Sequence, residues 1–252
     1  MLFAHKKIRQ FRNLKSKRKL FFKKSISLLP NIFTIANAFF GFCSIIFASK
    51  SDFMPAAYFI LLGALMDSID GRLARFIGVS SEIGLQLDSL ADSISFCLAP
   101  ALLIYFWQLK SLGFLGLIIS AIFFITGILR LARFNVISHE QSLFFLGLPT
   151  TIAGCFLVAF YLNMNDKIDI YMLPIVLILS LILSFLMVSK IKFPAFKQNF
   201  LKPYKKWYKF LLLTIFAVSF VMQFHGTLIL LFFFYFISAI YFNFKLNLTT
   251  KI

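Results

Sequence analysis

The chain has 252 residues, of which 60% are apolar, 18% aromatic and only 14% charged. Soluble globular domains carry roughly 25% charged residues, so this composition excludes an ordinary soluble enzyme and indicates a polytopic membrane protein. The formal net charge of +17 would suggest nucleic-acid binding in a soluble chain. In a membrane protein the meaning of this charge depends on where the basic residues lie relative to the membrane.

Apolar runs bounded by charged and turn residues predict eight membrane helices. They cover residues 30–48, 55–77, 83–106, 112–134, 143–163, 170–188, 210–224 and 227–244. The predicted fold is therefore all-α, a polytopic membrane helix bundle with about eight transmembrane helices.

The basic residues predict the orientation of this bundle. Of the 26 Lys and Arg residues, 23 lie in the N-terminal segment, the even-to-odd loops and the C-terminal tail. The opposite face has only Lys50, Lys110 and Lys167. The positive-inside rule then places both termini in the cytoplasm, and attraction to anionic headgroups accounts for the net charge without nucleic acid.

Two basic segments flank the predicted core. Residues 1–29 contain ten Lys and Arg and no small-residue cleavage site after them, so we expect a basic cytoplasmic segment that is retained. Residues 189–209 form a connector with seven lysines interleaved with aromatic residues. Two interpretations of it remain open, a surface-lying amphipathic stretch and a solvated loop with aromatic anchors. Residues 210–252 are predicted to form a transmembrane hairpin and tail.

Acidic residues are rare, and four of the nine lie within 26 residues inside or at the ends of two predicted helices: Asp67, Asp70, Asp88 and Asp92. A carboxylate at membrane depth costs about 2.5 to 3.5 kcal/mol, so it usually marks a functional site. Spacings of three and four residues put each pair on one helix face. Four neighbouring carboxylates without His or thiolate suit a hard cation such as Mg²⁺ or Mn²⁺.

From the residues alone, two alternative roles for these aspartates stay open. They could form a salt-bridged bundle core with Arg72, Arg75, Arg130 and Arg133. They could also build a proton or cation pathway. Small residues at Gly71, Ala74 and Gly84 leave backbone accessible to a ligand, and the Arg75 guanidinium suits a phosphate. Together these features favour phosphoryl transfer.

The pattern formed by these residues resembles the signature of the CDP-alcohol phosphatidyltransferases. Eight positions match with the family's spacing: Asp67, Asp70, Gly71, Ala74, Arg75, Gly84, Asp88 and Asp92. Three further stretches resemble the bacterial, membrane-integral branch that uses serine: Leu29-Pro30-Asn31 with Thr34, Leu129-Arg130 with Arg133-Phe134-Asn135, and Gly147-Leu148-Pro149. The resemblance implies that six helices, over residues 30–188, form the catalytic core.

The resemblance also implies a mechanism. A serine hydroxyl attacks the β-phosphorus of CDP-diacylglycerol and expels CMP, with two divalent ions, Mg²⁺ or Mn²⁺, at the diphosphate. Asp67, Asp70 and Asp88 are then metal ligands, and Asp92 is both a ligand and the general base. Other acceptors, namely glycerol 3-phosphate, inositol phosphate or choline, remain open, as does an ion-coupled transporter.

Further roles follow from the resemblance. Gly71, Ala74 and Arg75 are expected to bind the nucleotide and diphosphate, together with Asn31 and Thr34, whose alternative role is N-capping and hydrogen bonding at the start of the first helix. The acceptor site is expected to contain Arg130, Arg133 and Asn135, which bind either the serine carboxylate or a lipid phosphate, although plain positive-inside placement also explains the arginines. The expected partners are CDP-diacylglycerol, L-serine, membrane lipids and a second copy of the chain, with no nucleic acid. The expected location is a bacterial inner membrane, with the active site facing the cytoplasm.

Overall fold

A computed structural model of the chain describes residues 29–77, 82–137, 144–164 and 171–194, together with Phe236. The helices in these ranges are α1 (Leu29–Ser49), α2 (Phe53–Ile77), α3 (Glu82–Asp92), α4 (Ala99–Trp107), α5 (Phe114–Ile137), α6 (Thr150–Asn163) and α7 (Met172–Val188). A π-helical segment, Ser93–Leu98, joins α3 directly to α4, and a 3₁₀ turn, Leu109–Leu112, precedes α5. Two short strands, β1 (Phe144–Leu146) and β2 (Lys192–Pro194), pair antiparallel.

Four helical stretches are long and apolar enough to cross a membrane: Asn31–Ser49, Phe53–Leu73, Ile83–Trp107 and Phe114–Val136. The helices Thr150–Asn163 and Met172–Val188 are apolar but shorter. Ile, Leu and Phe side chains exposed along α1, α5 and α7 fit contact with lipid tails rather than water. The chain is thus an integral membrane protein, and its helical class is confirmed for these residues. The helices predicted at 210–224 and 227–244, and nearly all of segment 1–29, lie outside the described residues.

Helices joined by a short loop run in opposite directions, whereas α3 and α4 form one continuous helix through the π-helical segment, so alternate ends of the helical stretches meet at the same end of the bundle. One end is formed by the starts of α1, α3 and α6 and by the finishes of α2, α5 and α7. The other end is closed by aromatic packing. There the Tyr161 ring contacts the Trp107 ring, with centroids 5.0 Å apart, and the Phe53 ring at 6.4 Å.

The stretch Ile83–Trp107 is the most buried of the four long ones and lies at the centre of the bundle. Helix α1 packs along α2, α3 and α4. Its approach to the π-helical segment is close, since a Cβ atom added at Gly41 would lie 2.8 Å from the Cα of Ser95. Only glycine permits this separation, which brings the backbones of two helices into hydrogen-bonding range of each other's side chains.

The structure corrects three predicted segments. The helix predicted at 143–163 begins only at Thr150, because residues 144–146 form β1 and Gly147, with a φ of 78°, turns the chain before Pro149. The amide of Gly147 donates to the carbonyl of Ile191 at 2.9 Å, which ties this loop to the chain after α7. Part of the connector, Lys192–Pro194, is accordingly a strand. The helix predicted at 83–106 is present, but it is π-helical over Ser93–Leu98.

Candidate active site

Three carboxylates meet where α2 ends and α3 begins. One carboxylate oxygen from each of Asp67, Asp70 and Asp88 lies within 4.8 Å of the other two. The spacing of three residues puts Asp67 and Asp70 on one face of α2, and α3 presents Asp88 to that face. Asp70 is only 5% exposed, and the other two are half-buried. The predicted meeting of the two aspartate pairs is therefore seen for three of the four residues.

Helix α1 supplies a hydrogen bond to this cluster. The Thr34 hydroxyl donates to Oδ2 of Asp70 at 2.9 Å, and both residues are buried. Because α1 begins at Leu29, Thr34 lies in the second turn, past the capping position, and the hydrogen bonding near the start of the helix that the alternative also contains is present as the bond to Asp70. The bond fixes the orientation of the Asp70 carboxylate. Asn31, the other residue predicted on this helix, is half-buried near its start.

Asp92 lies one helical turn beyond Asp88, beside the cluster, and is held by a different residue. The Nδ2 of Asn37 donates to its Oδ1 at 3.3 Å. The Asp92 carboxylate interacts electrostatically with the three clustered carboxylates and with Arg130. It is also the last residue of α3, so the π-helical segment starts immediately after it. Such segments frequently occur at functional sites.

The end of α5 borders the same region. Arg130 Nη1 donates to the Thr150 hydroxyl at 3.4 Å, and the guanidinium lies 5.5 Å from the centroid of the Phe134 ring. Asn135 accepts a hydrogen bond at 3.0 Å from the hydroxyl of Ser89, the residue next to Asp88. These contacts position α5 against both α3 and α6.

The remaining arginines are placed differently from one another. Arg133 Nη1 donates to the carbonyl of Val188 at 3.1 Å, so it binds the last residue of α7. Arg72 is exposed. For the salt-bridged alternative, the arginine side chains that the structure describes provide an electrostatic interaction of Arg130 with Asp92. The backbones of Ala74 and Arg75 belong to α2, but the structure does not describe the side chains of these two residues. Gly71 and Gly84 are half-buried in α2 and α3.

The chemistry of the donor set fits a divalent metal. Oxygen atoms from three aspartates converge within 4.8 Å, and oxygen-only sites favour Mg²⁺ or Mn²⁺ over zinc. The Asp70 carboxylate is already oriented by the Thr34 hydroxyl, and such outer hydrogen bonds are typical of metal ligands. Without a cation, three close carboxylates in a membrane protein would repel one another strongly.

Several residues of this region were not predicted from the sequence. Asn37, Ser89 and Thr150 have hydrogen bonds to predicted site residues, and Ser95 donates to the backbone carbonyl of Asn37. Asn37 was the one with a usable signal, because it is a polar amide inside an otherwise apolar helix. The serines and the threonine carry no such signal, since hydroxyls in membrane helices commonly bond to their own backbone.

A family model described as CDP-alcohol phosphatidyltransferase matches residues 27–187 of the chain. The match spans more than half of the sequence and includes every aspartate of the site. The chain therefore belongs to the CDP-alcohol phosphatidyltransferase family. This membership confirms the resemblance and sets aside the ion-coupled transporter.

Similar proteins from three organisms indicate which members of this family the chain resembles. The chain is 36% identical over 174 residues to a CDP-diacylglycerol–serine O-phosphatidyltransferase of Helicobacter pylori, a match covering 68% of this chain and 73% of the relative. It is 37% identical over 177 residues to the protein of that name from Bacillus subtilis, covering 69% and 94%. An archaetidylserine synthase of Methanothermobacter thermautotrophicus is 33% identical over 172 residues, covering 68% and 71%.

Proposed function

We propose that this protein transfers the phosphatidyl group from CDP-diacylglycerol to L-serine, giving phosphatidylserine and CMP. The carboxylate cluster of Asp67, Asp70 and Asp88 carries the proposal, because it provides an oxygen-rich site for the diphosphate and its cations. The three relatives described above all carry serine in their names, which supports serine as the acceptor over glycerol 3-phosphate, inositol phosphate or choline.

In this proposal Asp67, Asp70, Asp88 and Asp92 hold two divalent ions, Mg²⁺ or Mn²⁺. Bound cations would offset the negative charge that develops on the diphosphate as the bond to the leaving phosphate breaks. The Thr34 hydroxyl keeps the Asp70 carboxylate oriented for this role, since it donates from a buried position 2.9 Å away.

The reacting groups are assigned as follows. Asp92 accepts the proton of the serine hydroxyl, whose oxygen then forms a bond with the β-phosphorus of the lipid. The bond from that phosphorus to the bridging oxygen breaks, and CMP leaves with the bond's electrons. Asp92 suits the base role because it lies beside the three-carboxylate group and is held by the Asn37 amide.

Binding roles are assigned to two further groups of residues. The nucleotide and diphosphate are bound by Asn31, Thr34, Gly71, Ala74 and Arg75. The serine carboxylate or the lipid phosphate is bound by Arg130, Arg133 and Asn135. The contact of Arg130 with Thr150 and that of Asn135 with Ser89 support a location next to the aspartates.

We further propose that the protein is a homodimer in the bacterial inner membrane, with both termini and the active site facing the cytoplasm. The orientation is supported by the charges at the two ends of the bundle. Arg72, Arg130 and Arg133 lie at the end that holds the aspartates, and Lys50 and Lys110 at the other. Labelling of single cysteines introduced at Ser51 and Val136 with a membrane-impermeant reagent tests this orientation: Ser51 should react from the outside and Val136 only from the cytoplasm.

The reaction itself is tested with purified protein in detergent, CDP-diacylglycerol, a divalent metal and one candidate alcohol at a time. CMP release and lipid product are measured together. Serine should give phosphatidylserine with stoichiometric CMP. If another alcohol supports faster turnover than serine, the acceptor assignment is wrong, whereas the absence of CMP with every acceptor would reject the transferase activity.

A further inference from the structure

Asn37 joins α1 to the stretch that contains the proposed base. Its Nδ2 donates to Oδ1 of Asp92 at 3.3 Å, and its backbone carbonyl accepts from the Ser95 hydroxyl at 2.8 Å. Ser95 lies three residues after Asp92, inside the π-helical segment. Asn37 therefore contacts both the carboxylate and the turn of backbone that follows it, and it does so from a fully buried position.

The two polar atoms of the Asn37 side chain have different environments. Oδ1 of Asn37 is buried and has no hydrogen-bond partner among the described residues. Leaving such an atom unpaired lowers stability, so an amide at this position is unfavourable for packing alone. An ionised carboxylate only accepts hydrogen bonds, so the amide has to present its NH₂ to Asp92 and its oxygen away from it.

Helix α2 makes room for that orientation. A Cβ atom added at Gly63 would lie 2.8 Å from Oδ1 of Asn37, which is closer than such atoms approach in proteins. Gly63 thus leaves the space in which the Asn37 oxygen sits on the side opposite Asp92. The amide is held between a glycine on α2 and a carboxylate at the end of α3.

We infer that Asn37 is a positioning residue, which holds Asp92 so that its second oxygen, Oδ2, faces the serine hydroxyl, and that Gly63 keeps Asn37 in place. The inference rests on the proposed function, in which Asp92 takes the hydroxyl proton. Fixing Oδ1 by a hydrogen bond fixes the direction of Oδ2, because the carboxylate is planar and rigid. Neither Asn37 nor Gly63 needs to touch a substrate.

Replacement of Asn37 should affect turnover more than binding. Asn37→Ala removes the donor, and the loss of a hydrogen bond to a charged group predicts a roughly ten- to hundred-fold fall in kcat at saturating metal. The KM values for CDP-diacylglycerol and serine should change by less than about three-fold. Ser44→Ala is the matched control, because Ser44 is a buried polar residue of the same helix whose hydroxyl has no partner among the described residues. It should leave kcat unchanged.

Gly63→Ala tests the same contact from the other side without altering either hydrogen-bonding group. The added methyl should displace the Asn37 amide and lower kcat several-fold. In the Asn37→Ala background that methyl has no amide to displace, so the double variant should be no slower than Asn37→Ala alone. This non-additivity is the signature of one shared contact, and a general loss of packing would instead give additive effects.

One measurement besides turnover completes the test. Binding of CDP-diacylglycerol at saturating Mn²⁺ should match wild type in Asn37→Ala and Gly63→Ala. The inference is overturned if folded Asn37 or Gly63 variants keep wild-type kcat while Asp92→Asn is inactive, or if the two changes are additive. An active Asp92→Asn enzyme would instead reject Asp92 as the base, and with it the premise drawn from the proposed function.

Discussion

The hydrogen bond from Thr34 to Asp70 makes a quantitative prediction about metal binding. In Thr34→Val the side chain keeps a similar shape but loses the hydroxyl that donates to Oδ2 of Asp70 at 2.9 Å. Thr34 is 3% exposed and Asp70 5% exposed, so water cannot readily replace the lost donor. The Asp70 carboxylate then loses one of the contacts that hold it in the geometry in which it meets Asp67 and Asp88.

The expected size follows from two general observations. A hydrogen bond to a charged group contributes about 1.5 to 3 kcal/mol, and removal of a residue that orients a metal ligand typically weakens metal binding or activity about ten- to hundred-fold. We therefore expect the Mn²⁺ or Mg²⁺ concentration that gives half-maximal activity to rise by roughly that factor. At saturating metal, much of the activity should return.

The assay is a metal titration of CMP release at saturating substrates. Thr126→Val serves as the control, because the Thr126 hydroxyl bonds to the carbonyls of its own helix at Ile122 and Phe123 and should not influence the metal requirement. If the KM for CDP-diacylglycerol rises while the metal requirement stays at the wild-type value, then Thr34 contributes to nucleotide binding and does not influence metal binding through Asp70. That result would refute the prediction.

The site and the fold make three more predictions. Asp88→Asn keeps the shape of the side chain but loses its charge, so CMP release should fall below about a tenth of the wild-type rate. In the wild-type enzyme, a chelator of divalent metals should abolish CMP release, and full activity in excess chelator would contradict the metal site. Arg130→Ala and Arg133→Ala should raise the serine KM by about ten- to hundred-fold with little change for CDP-diacylglycerol, and the reverse pattern would assign these arginines to the lipid phosphate. Gly41→Ala should lower the free energy of unfolding by about 1 to 3 kcal/mol, because its Cβ would meet Ser95; unfolding in detergent measures this, and wild-type stability would argue against the close approach.

The sequence predicts the carboxylate cluster because helical spacing determines which residues share a face. Asp67 and Asp70 are three residues apart on one apolar helix, and Asp88 follows near the start of the next. The antiparallel arrangement of consecutive helices then brings them to the same end of the bundle. Local periodicity and chain direction are sufficient for this part of the site.

Contacts between distant segments were not predictable in the same way. The bond from Asn37 to Asp92 joins residues 55 positions apart, and it depends on how α1 rotates about its axis, which periodicity in a nearly uniformly apolar helix does not define. The strand at Phe144–Leu146 was likewise missed, because its three residues continue an apolar run and only its pairing with Lys192–Pro194 makes it a strand.

The π-helical segment also sets the angular phase between the two halves of the central helix. Each residue of an α-helix turns the chain by about 100°, and a π-helical segment accommodates an extra residue within an otherwise continuous helix. Asp88 and Asp92 precede the segment Ser93–Leu98 in the chain, and Trp107, with its aromatic contact to Tyr161, follows the segment. If the same six residues formed a regular α-helix, the aspartates would turn by roughly 100° relative to Trp107. The direction in which the carboxylates point is therefore determined by the π-helical hydrogen bonding of the segment, and substitutions that return it to α-helix without removing a residue would change that direction.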